Sequence, residues 1–337
     1  MRKRQNLKTF QNKLMKEALY ILRERSRKSI KLAQNELLTI NIESQKGRQA
    51  LKHYATNWDD IVHPGILSMS CEAVGGKPDD ATQMQVILLL LTAAIDVFDD
   101  IIDQTRVKNG KSTIFGLFGK DVSLLIGNAI SMKGFFLLCK YCKTLPHKMS
   151  SYVADAIQST FFEVGDAHLL ETEIKTKLDI TPSEYLHIIE KKASNIEAIT
   201  RVGAIIGKAS RKQLDILGEY GKILGTLITL REEFIDIFEL EELVNRFNNE
   251  CLPLPILYAF QDARTKENIL KILPRKKLSP ERADEIVDVV FKSKGVAKLK
   301  AYMKKRSQDA LTVLSELPQK HLIPQLELLI KSTLEDL

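Results

Sequence analysis

The chain has 337 residues, 44% of them hydrophobic and 28% charged, with 16 glycines and 10 prolines. Such a composition excludes a disordered or collagen-like polypeptide, leaves room for one large domain or two ordinary ones, and favours long helices over a turn-rich β architecture. Fifty Lys+Arg against 43 Asp+Glu leave a net +7, which suits a polyanionic partner, a membrane surface or simple solubility until the excess is located. Of the cysteines, Cys71, Cys139, Cys142 and Cys251, one pair has the two-residue gap of a metal knuckle, and without a second pair neither a zinc site nor a disulfide framework is expected. Val86 to Ile95, a strongly apolar run ending at Asp96, is about half the length that crosses a bilayer, and no secretory signal is read at the start. The expectation is a soluble protein of a reducing, cytoplasmic compartment.

The charge excess sits at the front. Residues 1–33 carry eleven Lys/Arg against Glu17 and Glu24, so this segment is +9 and the remainder −2. Leu14, Ala18, Ile21 and Leu22 recur at helical spacing, which makes residues 1–50 a basic amphipathic segment. It either packs on the body as a solvated helix or provides peripheral contact with an anionic membrane surface or a partner. No nucleic-acid module or interleaved aromatics accompany it, so a nucleic-acid partner is not expected.

Residues 51–337 read as one helical domain without an internal repeat. Thr181-Pro182-Ser183-Glu184 forms a capping box with proline at the first helical position, and Ser279-Pro280-Glu281 opens another helix that should stop near Gly295. No run alternates with period two between turn residues, so the fold class is all-α. Gly110-Lys111-Ser112-Thr113 imitates the end of a phosphate-binding loop, but no glycine lies five residues earlier and no strand precedes it.

Two acidic clusters carry the chemistry. Asp96, Asp99, Asp100 and Asp103 lie in an apolar helix on one stripe, because three- and four-residue steps return to the same face. Like charges so arranged repel and resist burial unless something cationic meets them. Glu232, Glu233 and Asp236 repeat the acid-acid-x-x-acid spacing after the apolar run Ile223 to Leu230. A single cluster is normally a solvated face. Two with the same spacing in apolar surroundings point to hard divalent cations, with carboxylates paired across a bundle holding Mg²⁺ and the ions holding a diphosphate.

These motifs resemble the two aspartate-rich motifs of trans-isoprenyl diphosphate synthases, which have the class I isoprenoid synthase fold, a helical bundle around a central cavity. The likeness runs through Ala73 to Gly76, Phe118-Gly119-Lys120, Lys192-Ala193-Ser194, Leu254 to Ala259 and Gly295 to Leu299, and so covers residues 50–337. It implies three Mg²⁺ that grip an allylic prenyl diphosphate, with Asp99 and Asp103 as ligands supported by Asp100, and Glu232 and Asp236 as ligands beside Glu233. It also implies diphosphate-binding cations at Lys108, Lys192 and Arg246, and a homodimer.

Departures from the family pattern shape the expected reaction. The basic motif for isopentenyl diphosphate falls on Trp58 to Pro64, where Asp60 replaces a lysine and His63 an arginine, and Asn109 and Thr92 replace two further contacts. Three or four lost charged hydrogen bonds, at about 1.5–3 kcal/mol each, would weaken that site by several orders of magnitude. The resulting expectation is ionisation of one allylic diphosphate to a terpene hydrocarbon or alcohol, with Asp96 steering or deprotonating the cation and Asp166 and His168 as second candidates. Ile95 and Ala94, in place of bulky aromatics, favour a chain of about fifteen carbons or more by the same resemblance. The alternatives are a prenyltransferase that elongates a prenyl chain or modifies another acceptor, and a non-catalytic subunit of a heteromeric synthase. A shortened stretch between Arg246 and Pro255 counts against ordinary elongation.

Overall fold

The computed structural model describes residues 13–108, 110–273, 278–317, 321–335 and 337. Arg2, Lys3, Arg4, Lys8 and Asn109 lie outside the described residues. The expectation of an all-α chain holds, the β structure among the described residues being one two-stranded hairpin. The chain forms two compact units, one of Leu19–Ile157 with Ile199–Leu214 and one of Met1–Ala18, Gln158–Ala198 and Asp215–Leu337. This division does not fall at residue 50, where the change in charge placed it.

In the first unit, α1 (Lys13–Leu38), α2 (Gln45–Asn57), α3 (Val62–Glu72) and α4 (Pro78–Ile102) precede the hairpin of β1 (Val107–Lys108) and β2 (Lys111–Ser112). Helices α5 (Ile114–Phe118), α6 (Lys120–Cys142) and the start of α7 (His147–Ile174) follow; from Gln158 the rest of α7, all of α8 (Pro182–Lys192) and the start of α9 (Ser194–Ile206) belong to the second unit, and α9 from Ile199 to the first. Met84, Ile87, Leu89, Leu90 and Leu91 make α4 apolar on every side, and all are fully buried. Only a helix surrounded by partners tolerates that pattern, and each such side chain contributes about 1.5–3 kcal/mol by leaving water. Its partners include α3 and α6.

The basic helix α1 packs on this unit. A side chain at Gly65 would run into Leu22, so glycine there sets the close approach of α1 to α3. Three of its cations meet acids of the body, with Arg25 on Glu72 at 3.0 Å, Lys28 on Asp79 at 2.6 Å and Arg23 on Asp59 at 3.5 Å. These pairs tie the described part of the segment to the unit.

Helix α6 has the length and composition of a membrane span, though a third of its most apolar window is buried. Leu124, Leu125, Met132 and Phe136 remain exposed along it.

The second unit contains α10 (Arg211–Asp236, entering it at Asp215), α11 (Leu240–Asn249), α12 (Leu254–Ala259), α13 (Ala263–Ile272), α14 (Pro280–Phe291), α15 (Lys294–Ser315) and α16 (Ile323–Thr333). The Thr181 capping box forms as expected, its hydroxyl accepting from Glu184 N and its own N–H donating to Glu184 Oε2. Ser279 caps α14, which stops at Phe291 and not at Gly295. Gly295 instead lies in the first turn of α15, where a Cβ would strike the carbonyl oxygen of Tyr258. At the start of α1, the N–H groups of Leu14 and Met15 donate to the Glu335 carboxylate at 3.1 and 2.8 Å. That remote side chain satisfies donors a helix start otherwise leaves unpaired.

The four cysteines are free. Burial pushes the Cys71 and Cys251 thiols up to about 12, whereas Cys139 is exposed. Because the thiolate is the reactive form, iodoacetamide at about pH 8 should label Cys139 first and leave Cys71 and Cys251 unmodified until the chain is denatured, as read by peptide mass spectrometry. Labelling of Cys251 in the native protein would contradict its placement.

Candidate active site

The first acidic motif closes α4. Asp96, Asp99 and Asp100 stand on its last two turns, and Asp103 is the C-cap, its N–H donating to Asp99 O at 2.8 Å. Gln104, at φ +57°, lies where the chain leaves α4 for the hairpin, whose first strand carries Lys108. Lys108 Nζ lies 2.6 Å from Asp96 Oδ1 and 3.9 Å from Asp100 Oδ1. Partial desolvation opposes this ammonium charge, and Asp96 and then Asp100 more than offset it, raising its pKa. Tyr54 OH, fully buried, lies within hydrogen-bond reach of Asp96 Oδ2 (3.1 Å) and Ala93 O (3.2 Å).

Asp96 is therefore a partnered acid. Asp100 is buried, and burial, followed by the charge of Asp96, pushes its carboxyl up to about 8 despite Lys108. Negative charge is crowded here beyond what one lysine neutralises.

Next to this stripe, at the start of α3, Asp60 and His63 form a closed pair. His63 Nδ1 sits 2.5 Å from Asp60 Oδ2, and the N–H groups of Val62 and His63 donate to Asp60 Oδ1 at 3.0 and 3.2 Å. Burial works against the Asp60 charge, but the imidazole and these donors hold its pKa below the usual carboxylate range. Thr92, one turn before Asp96 on α4, places its hydroxyl 3.5 Å from Asp60 Oδ2. Asp60 is thus engaged by its own helix start, by His63 and by Thr92.

The second motif ends α10 in the other unit. Glu232 is exposed and Asp236 half-buried, whereas Glu233 is buried. Glu233 accepts from Arg246 Nη2 at 2.8 Å, Tyr185 OH at 3.1 Å and the N–H of Leu254 at 2.6 Å. Arg246, on α11, also donates from Nη1 to Asp236 Oδ2, from Nη2 to Tyr185 OH (both 2.8 Å), and from Nε to Cys251 O (2.7 Å). Its guanidinium is only 9% exposed. Glu233, Tyr185 and Asp236 hold it charged against burial.

Arg246 was expected to face a diphosphate. In this structure its donors are engaged by Glu233 and Asp236 of the second motif, by Tyr185 OH and by Cys251 O, an arrangement that ties Asp236 to Glu233. Glu233, likewise expected at a metal, points inward.

Lys192, at the end of α8, reaches Glu171 Oε2 at 2.5 Å, and Glu171 Oε1 lies 3.2 Å from Tyr185 OH. Burial disfavours the Glu171 charge, but Lys192, Arg246 and His168 hold its pKa low. Glu171 and Tyr185 were not singled out from the sequence. The available signal was Glu171 in line with the buried residues Thr160, Val164 and Ala167, since a charge on an apolar stripe must be paired. Gly225 lets α10 approach the chain just after Lys192, where a Cβ would come within 2.8 Å of Ala193 O. Asp166 pairs with Lys191 at 3.0 Å on the surface, and His168 Nδ1 lies 3.9 Å from Glu171 Oε2.

Among the described residues, no three His, Cys, Asp or Glu side chains already converge on one metal position. The donors at the two motifs are nevertheless carboxylates without nitrogen or sulfur, and charge is crowded at Asp96 and Asp100. Such a set fits Mg²⁺, which binds through one or two carboxylates and completes its shell with water and phosphate oxygens. Within each unit taken by itself, Asp99 and Asp103 at the first motif, and Glu232 and Asp236 at the second, are the residues that would hold such an ion.

The polyprenyl synthetase family profile matches residues 46–290. The chain belongs to the polyprenyl synthetase family. It is 26% identical over 229 residues to a short chain isoprenyl diphosphate synthase of Methanothermobacter thermautotrophicus, spanning 68% of this chain and 69% of that one. To a geranylgeranyl diphosphate synthase of Methanosarcina mazei it is 26% identical over 192 residues, 57% of this chain and 59% of the relative. The geranylgeranyl pyrophosphate synthetase of Pyrococcus horikoshii superposes with a TM-score of 0.81 at 23% identity, covering 95% of this chain and 98% of that one. The fold is that of the class I isoprenoid synthases. The family and the names of these relatives correct the expected terpene-forming lyase, and favour its alternative, prenyl transfer.

Proposed function

We propose that this family member is a Mg²⁺-dependent prenyltransferase that uses an allylic prenyl diphosphate as donor. The observation that carries the reading is the acidic stripe of Asp96, Asp99, Asp100 and Asp103, with Lys108 folded onto it at 2.6 Å. In the reaction the allylic C–O bond breaks, diphosphate leaves with the electron pair, and an acceptor attacks the allylic carbon and then loses a proton. Bound Mg²⁺ supplies Lewis-acid stabilisation of the charge that grows on the departing diphosphate. In this reading Lys108 exchanges its contact with Asp96 for a phosphate oxygen at the first motif, and Lys192, in the other unit, is the cation that Glu171 holds. Tyr54, held against Asp96, fixes that acid while Lys108 moves. Arg246 positions Asp236 without touching substrate.

Isopentenyl diphosphate is the acceptor in the first form of this reading, supported by the relatives named as prenyl diphosphate synthases. The closed Asp60–His63 pair favours a second form, in which the acceptor lacks a diphosphate. An acid at 2.5 Å from its imidazole offers a polyanion repulsion instead of a cationic cradle.

The deciding experiment incubates the protein with Mg²⁺ and allylic diphosphates of ten, fifteen and twenty carbons, with and without isopentenyl diphosphate. Longer prenyl diphosphates formed only with isopentenyl diphosphate establish elongation. Absence of elongation, together with prenylation of a hydroxyl or amine acceptor, establishes the second form. A hydrocarbon or alcohol released from the allylic substrate alone would overturn transfer in both forms.

A further inference from the structure

A cavity of about 360 Å³ opens in the second unit beside α15, with none of the acids of either motif in its lining. That volume falls within the range of small-ligand pockets, about 300–1,000 Å³. Tyr302, Lys305, Arg306 and Asp309 share one face of α15 and line it, opposite Lys222 and Thr226 of α10. Thr226 precedes Glu232 by six residues, which places it on a different face of α10 from that acid.

Charge in the cavity is unbalanced. Its two acids are occupied, Glu190 accepting from Tyr302 OH at 2.7 Å and Asp309 lying 3.5 Å from Arg306 Nη1. Lys222 and Lys305 are exposed, and among the described residues neither has a carboxylate within ion-pair distance. Arg306 also reaches toward Glu219 at 3.9 Å, yet its buried Nε–H has no acceptor among the described residues. A buried donor left without an acceptor is costly, and a guanidinium flanked by two ammonium groups matches the oxygens of a phosphate group.

We propose that this cavity binds a phosphate- or diphosphate-bearing anion, separately from either acidic motif. Arg306 Nε–H donates to a phosphoryl oxygen, and Lys222 and Lys305 neutralise the remaining charge. The same chemistry could be presented by a soluble phosphate compound or by the headgroup of an anionic lipid. The site does not depend on the proposed prenyl transfer, because its residues are distinct from those of both motifs.

The test uses the full chain in EDTA, where the acidic motifs have no divalent ion through which to hold an anion. Inorganic diphosphate is titrated calorimetrically, and vesicles of phosphatidylcholine with and without phosphatidic acid are tested by co-sedimentation. Wild type should bind one of the two probes saturably, and Lys222→Gln/Lys305→Gln should weaken that binding by about tenfold or more, as expected for lost charged hydrogen bonds. Asp99→Asn should bind as wild type does. Both lysines are exposed, so the double variant should melt with wild type, which separates a lost site from a lost fold. Binding of diphosphate identifies a soluble ligand, and binding confined to phosphatidic acid vesicles a headgroup. Absence of saturable binding in both arms, or equal binding by wild type and the double variant, would overturn the proposal.

Discussion

Asp99→Ala and Asp103→Ala should each lower prenyl transfer by at least about 10²–10³-fold, the scale on which loss of a single charge-stabilising contact acts on a transition state. These two acids stand one turn apart at the end of α4, about 6 Å along the axis, close enough to share a group of hard cations. Stability should move the other way or not at all. Taking one carboxylate from a stripe of like charges relieves repulsion, so the melting temperature should stay level or rise slightly. An Mg²⁺ titration provides the distinguishing readout, since a variant that has lost a ligand needs more metal for its residual rate. Full activity in Asp99→Ala at ordinary Mg²⁺ would refute the assignment.

Arg246→Met should destabilise the protein by about 3–5 kcal/mol, the usual consequence of removing one partner from a buried charge network. The loss comes less from the missing contacts than from what remains. Glu233, Tyr185 and Asp236 would face one another without the guanidinium that now donates to all three. Arg246→Lys should fall between, keeping the charge but not the planar fork. Arg246→Met/Glu233→Gln should recover much of the deficit, because the most deeply enclosed charge goes with its partner. Denaturant titration measures all three. Unchanged stability together with a large loss of diphosphate affinity would show that Arg246 is a substrate ligand and not an internal strut.

How far such features could be read in advance differs from residue to residue. The stripe from Asp96 to Asp103 was legible because helical periodicity puts these acids on one face whatever surrounds them. The Thr181 cap was legible for the same reason, its partner lying three residues away. The loss of cationic character at Asp60 and His63 was visible too, since an acid and an imidazole three residues apart pair locally.

The enclosure of Arg246 was not legible because its surroundings are assembled from distant chain. Tyr185 is 61 residues away and Glu171 lies on a further helix against Tyr185, so local spacing gave no sign that the guanidinium would be enclosed. The contact of Lys108 with Asp96 was not legible either, because it depends on how the chain leaves α4 before the hairpin. The helix boundary at Phe291 went astray because Gly295, read as a stop, serves as a point of close approach to Tyr258.

The hydrogen bonds from Leu14 and Met15 to Glu335 join residues 321 and 320 positions apart. The unit that contains them gathers stretches from three separate parts of the chain. Its order of assembly is therefore constrained. While the chain is being synthesised, the helix start at Leu14 emerges early and must wait for Glu335 before its donors are satisfied within the protein. Closing so long a loop is entropically costly and slow compared with local helix formation. The other unit, whose main stretch runs from Leu19 to Ile157, can form most of its contacts earlier. Folding should thus proceed in two stages, with the second acidic motif reaching its final surroundings last.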